Sequence, residues 1–192
     1  MTNIALILDG GRAEDASARW TSDRAVATLT ERGWNASVVR LHEIDIAPCL
    51  GCFGCWIKTP GVCVIDDAGR GVARQIAQSD LVVLLTPIVF GGPSPELKKA
   101  LDRMIGNILP FFRTIKGEVH HVKRYAKYAR LVGLGLLPAH NPVEEELFDR
   151  LIRRNAINMH APATAVEVIC ARDEEETKAR RIEWALTEAI DA

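Results

Sequence analysis

Four of the five cysteines lie close together: Cys49, Cys52 and Cys55 at three-residue spacing, then Cys63. Cα atoms three residues apart are separated by at most about 11 Å, and by less when the chain curls. Gly51 and Gly54 permit that curling, and Pro60-Gly61 offers a turn that brings Cys63 back to the group. The residue types leave three readings open. Four thiolates could occupy the corners of a [4Fe–4S] cubane. They could bind zinc, although structural zinc sites more often pair two separated Cys-x-x-Cys knuckles. They could also be unmetallated thiols with packing or redox roles. Cys170, alone at the end of a strand-like run, reads as a small buried hydrophobe.

Two loops could seat a ligand. Asp9-Gly10-Gly11-Arg12-Ala13-Glu14-Asp15-Ala16-Ser17 joins an apolar run to a helical one. Gly10 and Gly11 allow tight turns, amides at a helix start attract phosphate, Arg12 adds a charged fork and Ser17 a hydroxyl. Asp9, Glu14 and Asp15 oppose an anion. The second loop, Thr86-Pro87-Ile88-Val89-Phe90-Gly91-Gly92-Pro93-Ser94, couples a stiff turn to an apolar patch, which suits a flat heteroaromatic ring. Around these loops, Trp56 reads as a shield for the cysteines, Asp102 and Arg103 as ion-pairing groups, and His120-His121 as an exposed pair.

The elements that must position these residues alternate. Ile4–Leu8, Asn35–Leu41, Leu81–Leu85, Leu131–Leu137 and Ala163–Ile169 read as strands, the first and third continuous apolar runs of the kind covered on both faces. Helices are expected over Asp15–Glu31, stopped by Gly33, over Ala68–Gln78, after Ser94-Pro95, after Asn141-Pro142, and over Glu174–Ile190. Leu97, Leu101, Met104, Ile105 and Ile108 repeat at helical spacing. Residues 45–66 form an irregular cysteine-rich loop, and residues 109–127 an excursion with little periodicity. Strands and helices in alternation imply right-handed crossovers and an α/β single domain: a flavodoxin-like three-layer sandwich whose five-stranded parallel sheet has the order 2-1-3-4-5. In that order the loops after strands 1 and 3 flank the switch point where ligands bind.

A formal net charge of −1 argues against a broad electrostatic grip on nucleic acid or anionic lipid. The first residues lack a basic region, and their apolar run is too short for a signal peptide; no apolar stretch reaches membrane-spanning length. The expectation is a cytoplasmic protein, whose reducing surroundings favour metal or redox chemistry at clustered cysteines.

The sequence resembles the flavodoxin-like NAD(P)H-dependent FMN reductases, and their iron–sulfur flavoprotein branch in particular. The resemblance rests on Pro48-Cys49-Leu50-Gly51-Cys52-Phe53-Gly54-Cys55-Trp56, Gly61-Val62-Cys63-Val64-Ile65-Asp66-Asp67, Ser79-Asp80, Thr86 through Gly92, and Leu97 through Arg103. It implies a flavin-dependent oxidoreductase with FMN, its phosphate on Gly10, Gly11, Arg12 and Ser17 and its ring bordered by Thr86, Pro87, Ile88, Val89, Phe90 and Gly91. It also implies a homodimer or homotetramer. The four-cysteine spacing adds a [4Fe–4S] cluster on Cys49, Cys52, Cys55 and Cys63, exchanging electrons with FMN and with a redox partner protein or NAD(P)H. A cluster-free NAD(P)H-dependent FMN or quinone reductase, and a non-catalytic zinc or ligand-binding module, are the alternatives. The first loop departs from the family's usual Gly-Ser-Pro-Arg followed by Ser or Thr.

Overall fold

The computed structural model describes residues 2–115 and 117–192; Met1 and Lys116, which fall in the amino-terminal segment and the excursion read above, lie outside them. Strands β1 (Ile4–Asp9), β2 (Asn35–Arg40), β3 (Leu81–Pro87), β6 (Arg130–Leu137) and β7 (Thr164–Cys170) form one sheet of order β2-β1-β3-β6-β7, every pairing parallel. Counting only its members, the order is 2-1-3-4-5, as expected. The register is regular across the centre, with Leu6 opposite Val82 and Val82 opposite Leu131.

Both sheet faces are covered, which is why the central strands are apolar at every position rather than at alternate ones. Leu6, Leu8, Val82 and Leu84 face a core shared with helices α3 (Ala68–Gln78), α4 (Pro95–Arg103) and α5 (Pro142–Asn158). Ala5, Ile7, Leu81, Val83 and Leu85 face a second core shared with α1 (Ala16–Glu31) and α6 (Glu175–Asp191). Each fully buried Leu or Phe contributes roughly 1.5–3 kcal/mol relative to exposure, and Phe148 and Leu97 are among the fully buried ones. Among the described residues no helix is long and apolar enough to cross a membrane.

Helix starts follow their local chemistry. Asp15, Asp67, Ser94 and Asn141 cap α1, α3, α4 and α5 with side-chain oxygens, and Pro95 and Pro142 occupy the first helical positions. Two expectations need correction. The helix after Ser94 does not run to Ile108: α4 ends at Arg103, and Met104–Asn107 tighten into a 3₁₀ turn. Gly106 lies in that turn, packed so closely that a Cβ there would sit 3.3 Å from both Cys55 Cβ and Gly61 O. The 109–127 excursion holds an antiparallel hairpin of β4 (Ile108–Ile115) and β5 (Glu118–Lys123). Its outward Phe111 and Phe112 and its Pro110 hide the strand alternation.

Candidate functional site at the carboxyl edge of the sheet

The two ligand loops meet at the switch point between β1 and β3. The Gly10 amide donates to Leu85 O at 2.8 Å, and Ser94 Oγ donates to Gly10 O at 2.8 Å. The Gly11 amide donates to the Asp9 carboxylate at 2.8 Å, and a Cβ on Gly11 would sit 2.4 Å from Ala18 Cβ. Both glycines therefore serve close packing, and their amides are engaged within the protein rather than open to a phosphate. The groups at this edge that could meet an anion are the exposed Arg12, the half-buried Ser17 and the amino-terminal end of α1. Beneath them Asp9 is 1% exposed, and burial pushes its carboxyl up, against the lowering by the Gly11 amide, Arg40 and His42.

The loop after β3 ends in a two-residue turn. Val89 and Gly92 exchange backbone hydrogen bonds, and Phe90 and Gly91 adopt φ of 50° and 75°, the left-handed pair of a type I′ hairpin turn. This turn holds Phe90 outward at 96% exposure, so it does not fill the core. Val89 is exposed and Pro87 half-buried. Thr86 and Ile88 point inward instead: the Thr86 hydroxyl accepts from the Ser94 amide at 2.8 Å and donates to Pro87 O. Ile88 fits over Gly135, where a Cβ would lie 2.6 Å from Ile88 Cδ1. Gly91 is buried beneath Leu147. Of the six residues expected to border a ring, Pro87, Val89 and Phe90 reach the surface.

Beside this crevice, Cys49, Cys52, Cys55 and Cys63 all line one cavity of about 560 Å³. Left-handed backbone at Gly51 (φ 62°) and Phe53 (φ 56°) curls the segment into the short helix α2 (Gly54–Ile57). The Pro60-Gly61 turn folds back so that the Gly61 amide donates to Cys55 O at 2.8 Å. All five cysteines are free thiols. Burial raises the Cys55 thiol pKa, with Cys63, Cys49 and Cys52 adding to the rise, which reflects how near the four sulfurs are. No three of them come within the 4.8 Å that would suit a single ion; tetrahedral zinc holds sulfurs about 3.8 Å apart, given Zn–S bonds of about 2.3 Å.

Arg103 clamps the roots of this loop. It is 3% exposed, and its Nη1 donates to Ala47 O and Asp67 Oδ2, each at 2.7 Å. Its Nη2 donates to Asp67 Oδ1 at 2.7 Å and to Ile65 O at 3.2 Å. Asp67 also accepts from the Ala47 and Gly69 amides. The guanidinium holds the Asp67 carboxyl below its usual range, and Asp67, then Cys63, keeps Arg103 charged against the burial that opposes it. Arg103 Nε is buried with no hydrogen-bond partner among the described residues. A buried donor left over next to Cys63, on a side chain lining the cavity, is what an anionic sulfur cluster would satisfy. Trp56 stacks on Phe53 with ring centroids 5.5 Å apart, anchors its Nε1 to Ile105 O and Ile108 O, and lines the same cavity.

Residues 3–119 match the sequence model of the NADPH-dependent FMN reductase family. The chain belongs to that family. Among curated relatives of this FMN reductase-family chain, an iron–sulfur flavoprotein of Methanocaldococcus jannaschii is 32% identical over 79 residues, covering 41% of the chain and 40% of the relative. An iron–sulfur flavoprotein of Methanosarcina thermophila is 27% identical over 81 residues, 42% and 41% of the two. The matched stretch thus spans about two fifths of the length of these curated relatives. The fold is similar to that of an NAD(P)H:quinone oxidoreductase from Methanothermobacter marburgensis, with TM-score 0.71, 14% identity, and 96% and 98% of the two chains covered. It is also similar to an FMN-dependent NADH-azoreductase from Bacillus anthracis in complex with FMN, with TM-score 0.66, 9% identity, and 100% and 98% covered. The sheet order is the flavodoxin-like one.

Arg103 forms an ion pair as the sequence suggested, but its partner, Asp67, lies 36 positions away and was not legible. Sequence reasoning placed His120-His121 on the surface. His120 is 9% exposed and bonds Glu118 at 3.1 Å, while His121 packs between Trp56 and Phe112. The pair lies on β5, where adjacent residues face opposite sides.

Proposed function

We propose that the chain is an FMN-dependent electron-transfer oxidoreductase that relays electrons between FMN and a [4Fe–4S] cluster on Cys49, Cys52, Cys55 and Cys63. The carrying observation is that these thiols line one cavity whose base holds a buried, positively charged Arg103 with an unused N–H. When bound, FMN supplies two-electron hydride chemistry and the cluster one-electron transfer. The chain's residues supply positioning. Arg12, Ser17 and the α1 terminus would hold the phosphate, and Pro87, Val89 and Phe90 would border the ring. Gly10, Gly11, Thr86, Ile88 and Gly91 would fix the two loops from beneath. Arg103 and Asp67 would keep the cysteine loop at the sheet edge, and Trp56 and Phe53 would limit water at the thiols.

The family and the iron–sulfur flavoprotein relatives support this reading. NAD(P)H or a redox partner protein would supply or take the electrons. Exposed Phe90, Val143, Leu147 and Leu151 near the crevice support a homodimer or homotetramer of a single-domain chain. The test substitutes serine at the exposed Cys49 and Cys52. Loss of iron and of flavin reduction by the partner, with flavin retained, is expected. Unchanged turnover and spectrum would favour the cluster-free NAD(P)H-dependent FMN or quinone reductase, a reading to which the engaged rim amides are indifferent.

A further inference from the structure

We propose that His140, Glu145 and Cys170 form a site for one divalent transition-metal ion of the zinc class, separate from the cysteine loop. Cys170 ends β7, His140 lies in the loop after β6, and Glu145 lies in the first turn of α5. The Ala171 amide donates to Leu137 O at 2.8 Å, tying together the ends of β6 and β7, which lie two and three strands away from β1 in the sheet.

One donor atom from each of the three residues lies within 4.8 Å of the others, the one such group among the described residues. His140 Nδ1 is 3.3 Å from Cys170 Sγ and 2.9 Å from Glu145 Oε1. Tetrahedral zinc would set these pairs at about 3.6 Å and about 3.4 Å from its usual bond lengths, so each needs to open by about 0.5 Å or less. The Asn141 amide already holds Glu145 Oε1 at 3.0 Å. The other ring nitrogen, Nε2, lies 3.2 Å from Asp173 Oδ1, and Asp173 is fixed by its amide donating to Cys170 O at 3.1 Å. A carboxylate accepting from Nε2–H leaves the Nδ1 lone pair aimed at a metal, the carboxylate–histidine–metal arrangement.

An ion-paired histidine between Glu145 and Asp173 would explain the two carboxylates. It does not explain a fully buried thiol directed at the same ring nitrogen as Glu145. The mixed nitrogen, sulfur and oxygen set selects zinc-class ions over calcium or magnesium. Three protein ligands leave a fourth position for water, and the half-exposed His140 provides the entry path. As the metal–sulfur bond forms, the Cys170 S–H bond breaks and its proton leaves to solvent, with no change in oxidation state.

The test titrates Co²⁺ into the full chain carrying Cys49→Ser, Cys52→Ser and Cys63→Ser, which leaves the cysteine loop only the buried Cys55. One equivalent should bind with tetrahedral cobalt absorption and a thiolate-to-cobalt charge-transfer band. Cys170→Ser should abolish that band. His140→Gln, in a half-exposed loop where folding is not at risk, should weaken binding at least about tenfold. Asp173→Asn should weaken it about 10–100-fold while keeping the band. Absence of a thiolate band, or a band that Cys170→Ser and His140→Gln leave unchanged, would overturn the proposal.

Discussion

Replacing Arg103 by methionine tests whether the buried ion pair, and not the thiols alone, holds the cysteine loop in place. The substitution keeps most of the side-chain volume and removes four hydrogen bonds, two of them to Asp67 and two to the carbonyls of Ala47 and Ile65. It strands a carboxylate that is 13% exposed. Breaking a buried pair by deleting one partner costs about 3–5 kcal/mol. The Ala47 and Gly69 amides still support the Asp67 charge, so the lower end, about 3 kcal/mol, is expected. Urea unfolding at neutral pH measures it. Adding Asp67→Asn removes the stranded charge while keeping an acceptor for the Gly69 amide, and should recover about half of that loss. Iron retention should not recover, because Ala47 and Ile65 are still unclamped. A loss below about 1 kcal/mol in the single variant, or iron binding restored along with stability in the double, would refute the clamp.

Three other outcomes follow from the same geometry. Phe90→Ala should change stability by less than about 0.5 kcal/mol because the ring is almost wholly exposed, yet weaken FMN about tenfold through lost stacking, as read by flavin fluorescence titration; tight flavin in the variant would remove Phe90 from the site. Asp9→Asn should leave stability at neutral pH equal or higher, since burial raises this carboxyl and so penalises its charged form as pH climbs through the ordinary range. It should also tighten FMN by about 1 kcal/mol, about fivefold; weaker FMN would contradict a phosphate above Asp9. Asp67, whose carboxyl is held low by Arg103, contributes stability that is full above the ordinary carboxylate range and is lost as pH falls through its native value. Acid titration of wild type and Asp67→Asn should therefore begin to converge only as pH falls below about 4 and meet below the depressed native value of Asp67.

The sheet and its helices were legible because their determinants are local. Apolar runs such as Leu81–Leu85 and caps such as Ser94-Pro95 and Asn141-Pro142 state their structure within a few residues. The cysteine loop was legible for the same reason: spacing and glycine content are properties of one short segment. Pairings across long separations were not legible. Arg103 and Asp67 meet because the 3₁₀ turn after α4 packs beside the cysteine loop, and His140 meets Cys170 because β6 and β7 are neighbours. Nor could the sequence reveal that the Gly10 and Gly11 amides are engaged, since that depends on Leu85 and on the buried Asp9. The β4–β5 hairpin escaped because outward aromatics and a proline obscure its alternation.

Anaerobic isolation of the full chain, followed by its visible spectrum and by iron, acid-labile sulfide and flavin assays on the same sample, bears on the two-centre reading without intermediaries. The geometry of Cys49, Cys52, Cys55 and Cys63 around one cavity, with the proposed FMN site on the loops after β1 and β3, leads us to expect one FMN with four iron and four sulfide per chain. Flavin with neither iron nor sulfide, or a colourless protein, would contradict it.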